Sequence, residues 1–253
     1  MVSISVVIPC RNDAEMLAVC LEALARQSRP ADEIVVVDNG STDASAVVAV
    51  DGGARVVHEP EPGIARATAA GFDAAVGDIL ARLDADSIPP ADWLERIERT
   101  LLAAGGLAAV TGPGDFYGSN RVVAWLGRTL YIGGYFAFVG WLLGHPPLFG
   151  SNLALDAAVW QRVRHLVHST TRQVHDDLDL SYQLRPDMTV IYDPRLRVAI
   201  SARPFDSWKG LGRRLGWSYT TFRLDFSQEP PLRRRRERRR WAREHAADVP
   251  LAH

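Results

Sequence analysis

Asp84-Ala85-Asp86 places two carboxylates one residue apart, directly after the mainly apolar run 79–83. Such a run reads as a buried strand, so the pair sits at a strand's carboxyl end, the edge at which open α/β sheets bind ligands. Two carboxylates spaced this way can hold a divalent cation between them, and the cation can hold a diphosphate. Oxygen-only ligation suits Mg²⁺ or Mn²⁺ better than zinc, and no His/Cys cluster offers a rival site. Asp-x-Asp is also an ordinary turn sequence, so its weight comes from its companions. A second acidic group, Asp176-Asp177 with Asp179, opens a predicted helix. Negative charge there gains about 0.3–1 kcal/mol from the helix dipole, and a carboxylate can also accept a proton from a reacting hydroxyl.

The elements that must position these groups alternate. Residues 3–8 form an apolar strand ending at Pro9, and 13–27 carry Leu17, Leu21 and Leu24 at helical spacing. Residues 33–37 predict a second strand, closed by Asp38-Asn39-Gly40, and a short helix follows from Thr42-Asp43 to about 50. A third strand at 55–57, a helix over 63–76, the strand at 79–84, a helix from Pro90 to about 104 and a strand at 107–111 continue the pattern. This β-α-β-α order predicts an α/β fold: a mostly parallel sheet with helices on both faces. Beyond about 115 the pattern changes. An apolar, aromatic stretch at 122–149 leads to Gly150-Ser151-Asn152, the acidic helix over 176–184, strands near 188–192 and 196–200, and a final helix from about 206.

The 253 residues, 47% hydrophobic and 23% charged, fit an ordinary globular chain. Cys10 and Cys20 fall in predicted core elements; they imply no disulfide framework and fit a reducing, cytoplasmic compartment. No secretory signal is evident. The uncharged run 129–143 falls short of the roughly 20 residues needed to cross a bilayer and reads as a core helix or an interfacial surface. Residues 233–244 carry eight arginines and two glutamates, a net of +6 against −1 for the whole chain, so the remainder carries −7. Residues 228–253 therefore read as a basic tail, disordered or a solvated helix, whose expected partner is an anionic membrane surface. Nucleic acid is not the expected partner, because no recognition fold accompanies the tail.

Taken together, SVVIPCRND (5–13), VVVDNGSTD (35–43), HEPEPGIARA (58–67), Asp84-Ala85-Asp86, Gly150-Ser151-Asn152 and HDDLDLSYQL (175–184) resemble glycosyltransferase family 2, whose members are inverting and have the GT-A fold. The resemblance covers about residues 3–200 and implies a domain over 1–227, with a nucleotide-binding half to about 114 and an acceptor-side half from 115. It implies a nucleoside-diphosphate sugar donor, UDP-linked on family frequency, and a hydroxyl acceptor, a glycan or lipid-linked. Pro9, Arg11, Asn12, Asp38, Glu59, Arg66, Asp84 and Ala85 are the implied donor contacts. Asp84 and Asp86 are the implied metal site for Mn²⁺ or Mg²⁺. Gly150, Ser151 and Asn152 are the implied donor-sugar and acceptor turn. Asp176-Asp177 matches the family's Glu-Asp pair, which makes Asp177 the base and Asp176 its companion. One base and one metal imply a single in-line displacement, unlike the two steps of a retaining glycosidase.

Two departures stand out. Leu155-Asp156-Ala157 occupies the place of the usual basic residues, and Arg213-Arg214-Leu215-Gly216-Trp217 only loosely resembles the Gln-x-x-Arg-Trp motif of processive members. Single-sugar transfer is therefore expected, at the inner face of a membrane. The alternatives are a non-catalytic nucleotide-sugar-binding scaffold and a sugar nucleotidyltransferase. The first strand, however, is not followed by the glycine-rich loop that nucleotidyltransferases use for a triphosphate.

Overall fold

The computed structural model describes residues 2–118, 127–203 and 208–245. Of the expected apolar stretch 122–149, residues 122–126 lie outside the described residues, as do the expected start of the final helix at 206–207 and residues 246–253 of the tail. The strands are β1 (Ile4–Cys10), β2 (Glu33–Asp38), β3 (Arg55–His58), β4 (Ile79–Arg82), β5 (Ala108–Thr111), β6 (Gly114–Tyr117), β7 (Leu153–Asp156), β8 (Thr189–Tyr192) and β9 (Val198–Ser201). The helices are α1 (Ala14–Ala25), α2 (Ser45–Asp51), α3 (Ile64–Ala74), α4 (Trp93–Ala104), α5 (Gly133–Leu143), α6 (Ala157–Val163), α7 (Asp176–Gln183), α8 (Trp208–Gln228) and α9 (Pro231–Glu244), with a π-helical turn over Gly127–Ile132 before α5.

Seven strands form one sheet in the order β3-β2-β1-β4-β7-β5-β8. All seven residues of β1 are buried, as a central strand covered on both faces requires. Its alternation divides the core. Ile4, Val6 and Ile8 pack toward Leu17, Leu21, Trp93 and Ile97 of α1 and α4. Val7 packs with Val35 and Val37 toward Phe72, Trp160 and Leu180 of α3, α6 and α7. Each fully buried aliphatic side chain contributes about 1.5–3 kcal/mol relative to exposure. The parallel sheet with helices on both faces is as the alternation predicts, and Cys10 and Cys20 are buried and unpaired in it.

Three features depart from expectation. β7 runs antiparallel between β4 and β5; its four residues are too short and too weakly patterned to be read as a strand. β6 and β9 form a separate two-stranded sheet, and Ile88 bridges to Ala199 of β9, which anchors the loop that follows Asp86. The basic segment is neither loose nor merely solvated: 231–244 is a helix, and α9 packs against the body. Arg238 donates to the carbonyls of Leu184, Arg185 and Met188 at 3.1, 2.9 and 3.2 Å. It thereby caps the carboxyl end of α7, where a cation complements the helix dipole. Arg234 donates to the Tyr182 carbonyl and lies over the Tyr182 ring, 4.0 Å from its centre.

Candidate active site

A cleft of about 360 Å³ opens at the carboxyl edge of β1 and β4. Strand register explains who meets there. β1 and β4 are parallel neighbours with Val7 opposite Arg82, so Pro9 and Arg11 emerge beside Asp84, Ala85 and Asp86. The antiparallel β7 enters where β4 ends, with Leu153 opposite Arg82, so Gly150 and Ser151 arrive beside Asp84. The first turn of α7 adds Asp176 and Asp177, and all nine of these residues line the cleft.

Arg82 is the centre of the site, and its role is not signalled by the sequence. It is 2% exposed, and its Nη2 lies 2.9 Å from Asp84 Oδ1 and 3.1 Å from Asp176 Oδ2. Burial works against its charge, but Asp176, Asp84 and Asp177 outweigh burial and hold it above the usual arginine range. A charge this deep is tolerated only when paired. Gly150 is required by this packing: a methyl group there would stand 2.3 Å from Arg82 Nη1 and 3.2 Å from Asp177 Oδ2. Ser151 Oγ donates to Asp84 Oδ2 at 2.5 Å, and the Thr68 hydroxyl donates to Asp176 Oδ2 at 2.6 Å.

Asp177 differs from its neighbour. No cation is within ion-pair distance of it among the described residues. Its Oδ2 accepts the Gly150 N–H at 2.9 Å, and its Oδ1 accepts the Leu178 N–H at 2.8 Å. Burial, then the charge of Asp176, push its carboxyl up from the ordinary range. An oriented carboxylate of raised basicity suits proton acceptance.

Asp86 is a further acid of the cleft, which Asp13 also lines. Burial and then Asp84 push its carboxyl up, against the pull of Arg203. Arg203 Nη2 reaches Asp86 Oδ2 at 2.8 Å, and the same guanidinium grips Asp13 through two bonds of 2.8 and 2.6 Å. Tyr117 donates its hydroxyl to the Asp86 carbonyl at 2.8 Å. Asp86 Oδ1 makes no hydrogen bond among the described residues. Asp84 and Asp86 thus offer hard oxygen donors to one cavity, and one of them is crowded by burial and like charge. This donor set fits Mg²⁺ or Mn²⁺. Arg203 is the second residue at the site's acids without a sequence signal; it follows β9, far along the chain from Asp86.

The remaining predicted residues lie outside the cleft wall. Asp38, at the end of β2, accepts the Ser41 N–H at 2.9 Å and faces His58 Nδ1 at 3.3 Å. Asn12, with φ of 53°, accepts the Thr42 N–H at 2.7 Å and ties the two loops together. Glu59 Oε1 accepts the Glu61 N–H at 2.9 Å. Arg66 is half-buried on the first turn of α3 and has no ion pair among the described residues. Asn152 is not among the residues that line the cleft. It is fully buried, accepts the Trp93 indole N–H at 2.9 Å, and donates to the Pro113 and Leu196 carbonyls at 3.3 and 2.6 Å. A buried tryptophan needs such a partner, so the Asn152 amide, an expected sugar contact, is engaged in the core. Trp217, Ser218 and His175 instead complete the wall, with the His175 and Trp217 rings 5.9 Å apart. The side chains of Arg213 and Arg214 lie outside the described residues.

Behind α7, Asp179 accepts from His168 at both its N–H (2.6 Å) and Nδ1 (2.8 Å). Asp225 lies alongside, and the ligating atoms of all three fall within 4.8 Å. Burial, then Asp179, push the Asp225 carboxyl up to about 9, so it is neutral at pH 7. The unfolded value is 3.8; the folded state therefore holds an extra proton between the two values. That stabilising contribution is complete below about pH 4 and is lost as pH rises through about 9. Asp225→Asn, neutral at every pH, is expected to flatten this decline. Urea midpoints measured between about pH 5 and pH 9 check it; parallel slopes for both proteins would contradict it.

The carboxylate-lined cleft lies at the carboxyl ends of the strands, where open α/β sheets place their ligands. The sequence model for glycosyl transferase family 2 matches residues 5–154, so the chain belongs to that family. Among curated relatives, glycosyltransferase AglE of Haloferax volcanii is 34% identical over 126 residues, 46% of this chain and 38% of its own length. The glucosyl-3-phosphoglycerate synthase of Mycolicibacterium smegmatis is 30% identical over 152 residues, 51% of this chain and 49% of its own. The chain thus spans about two-fifths to one-half of the length of these relatives. Mannosyltransferase PcManGT from Pyrobaculum calidifontis, solved with GDP-Man and Mn²⁺, superposes with a TM-score of 0.66 at 20% identity, covering 99% of this chain and 76% of its own. The M. tuberculosis glucosyl-3-phosphoglycerate synthase gives 0.59 at 21%, covering 87% and 80%. The fold shared with them is GT-A.

Proposed function

We propose that this chain is an inverting, metal-assisted glycosyltransferase that moves one sugar from a nucleoside-diphosphate sugar to a hydroxyl acceptor, a glycan or a lipid-linked molecule. One observation carries the reading: a single buried guanidinium, Arg82, is shared by Asp84 of the Asp-x-Asp pair and Asp176 of the acidic helix. The candidate metal arm and the acidic turn that carries the candidate base, Asp177, therefore face one cavity. The complexes of PcManGT with GDP-Man and Mn²⁺, and of the M. tuberculosis synthase with UDP and Mn²⁺, support a diphosphate donor and Mn²⁺ or Mg²⁺.

In this reading Pro9 and Arg11 meet the nucleotide at the end of β1. Asp38, Asn12, Glu59 and Arg66 form the neighbouring rim for base and ribose. Asp84 and Asp86 hold the cation, which when bound neutralises charge developing on the departing diphosphate. Gly150 and Ser151 border the donor sugar. Asp177 takes the acceptor hydroxyl's proton as its oxygen attacks the anomeric carbon on the face opposite the diphosphate, which inverts the configuration. Asp176, paired to Arg82, stays out of proton transfer and keeps the pair's geometry.

Calorimetry with UDP, GDP, CDP and dTDP, with and without Mn²⁺, tests the donor site. Binding of one diphosphate, UDP first among them, is expected to require Mn²⁺ and to weaken by about tenfold or more in Asp86→Ala, a loss of at least about 1.4 kcal/mol. Failure to bind all four would remove the donor-site assignment. Metal-dependent binding with no transfer to any acceptor would favour a nucleotide-sugar-binding scaffold.

A further inference from the structure

The charge on α9 is sorted by face. Glu237 pairs with Arg233 at 3.1 Å, Glu244 with Arg240 at 2.7 Å, and Glu229 with Arg234 at 2.9 Å. Arg235, Arg236, Arg239 and Arg243 make no ion pair among the described residues. Arg235, Arg239 and Arg243 recur every fourth residue and so form one stripe along the helix. That stripe borders α5. Arg235 and Arg239 line a groove of about 690 Å³ together with Phe136, Trp141, His145 and Tyr192, and the Arg235 guanidinium lies 5.2 Å from the centre of the Trp141 ring.

The facing side of α5 is apolar and outward. Phe138 is 59% exposed and Trp141 53%, and their rings stack at 6.5 Å. Tyr192, at the edge of the same groove, is 38% exposed. Large aromatics left in water beside unpaired cations form an asymmetric surface, with rings that insert and guanidinium groups that meet phosphate. Tryptophan and tyrosine favour the headgroup layer, and a basic patch combined with an apolar anchor supplies the two signals that stable attachment needs. No described helix is long and apolar enough to cross a membrane.

We propose that the α5–α9 ridge is a docking surface for the anionic headgroups of a phospholipid bilayer, with Phe138 and Trp141 entering the interface and Arg235, Arg236, Arg239 and Arg243 meeting lipid phosphates. The proposal is independent of the catalytic reading, because none of these residues lines the cleft. Charge complementarity selects the occupant: a second copy of this chain would bring like charge against the stripe.

Sedimentation with phosphatidylcholine vesicles, with and without phosphatidylglycerol, tests it on the full chain. The protein is expected to bind only the vesicles that contain phosphatidylglycerol, with Trp141 fluorescence shifting to the blue. Each arginine at such a surface contributes a factor of about five. Arg236→Gln/Arg239→Gln/Arg243→Gln is therefore expected to weaken binding about a hundredfold, and Phe138→Ser/Trp141→Ser to weaken it as well, both with unchanged circular dichroism and nucleotide affinity. Equal binding of the triple variant and the parent would overturn the proposal. So would equal binding to both vesicle types, release by inorganic phosphate alone, tighter binding to a short RNA than to vesicles, or concentration-dependent dimers that the arginine substitutions abolish.

Discussion

Asp177→Asn is expected to reduce sugar transfer by about 10²–10⁴-fold, the usual share of a general base, while nucleotide affinity stays within about twofold, since its contacts lie on the Gly150 side of the cleft. The substitution keeps the shape and leaves Asn Oδ1 able to accept one of the two backbone N–H groups that Asp177 accepts, from Gly150 and Leu178. It removes the ability to take a proton and gives up the other of these two hydrogen bonds. Asp176→Asn is a control that separates the roles. Asp176 is paired to Arg82 at 3.1 Å and receives the Thr68 hydroxyl, so its loss disturbs the pair's placement and is expected to be the milder of the two. Burial and Asp176 raise the Asp177 carboxyl; the acid limb of the pH–rate profile should therefore lie above the ordinary carboxylate range and vanish in Asp177→Asn. A residual rate within tenfold of the parent would remove Asp177 from the base role.

Arg82→Met is expected to have the largest effect on folding. Met matches the length of the aliphatic stem but leaves the mostly buried Asp176 and the partly exposed Asp84 without their shared, buried cation. Breaking a buried ion pair by removing one partner costs about 3–5 kcal/mol. The loss should shrink at low pH, because protonation of the stranded carboxylates removes the uncompensated charge. Urea unfolding of both proteins at neutral and mildly acidic pH measures this. Arg82→Lys separates charge from shape: it restores a cation but not a guanidinium that spans both acids, so it should recover part of the stability and little of the activity. A Met variant as stable as the parent at neutral pH would show that Arg82 does not hold the site together.

Much of this fold was legible in the sequence because its causes are local. Continuous apolar runs alternating with helical periodicity require a doubly covered parallel sheet. Asp38, Asp84 and Pro9 fall at strand ends because the apolar runs stop there, and the acidic start of α7 follows from residue type at a helix N-terminus. The companionship of Asp-x-Asp and Asp176-Asp177 was legible only through a family resemblance, since nothing in their spacing forces a contact.

What tertiary structure alone decided are contacts between distant positions. Ser151 reaches Asp84 across 67 residues, and Arg203 reaches Asp86 across 117. Arg82 looked like an interruption in an apolar strand; only the antiparallel insertion of β7 and the approach of α7 reveal that it neutralises two acids. Asn152 shared the residue type of a sugar contact, yet the burial of Trp93 claimed its amide. Composition marked α9 as basic, but not which arginines would cap α7 and which would be left facing solvent. Local sequence determines where apolar and charged groups lie along an element, because periodicity and propensity act within a few residues. It does not determine which charges are buried together, because that depends on desolvation and pairing between elements that meet only once the chain has folded.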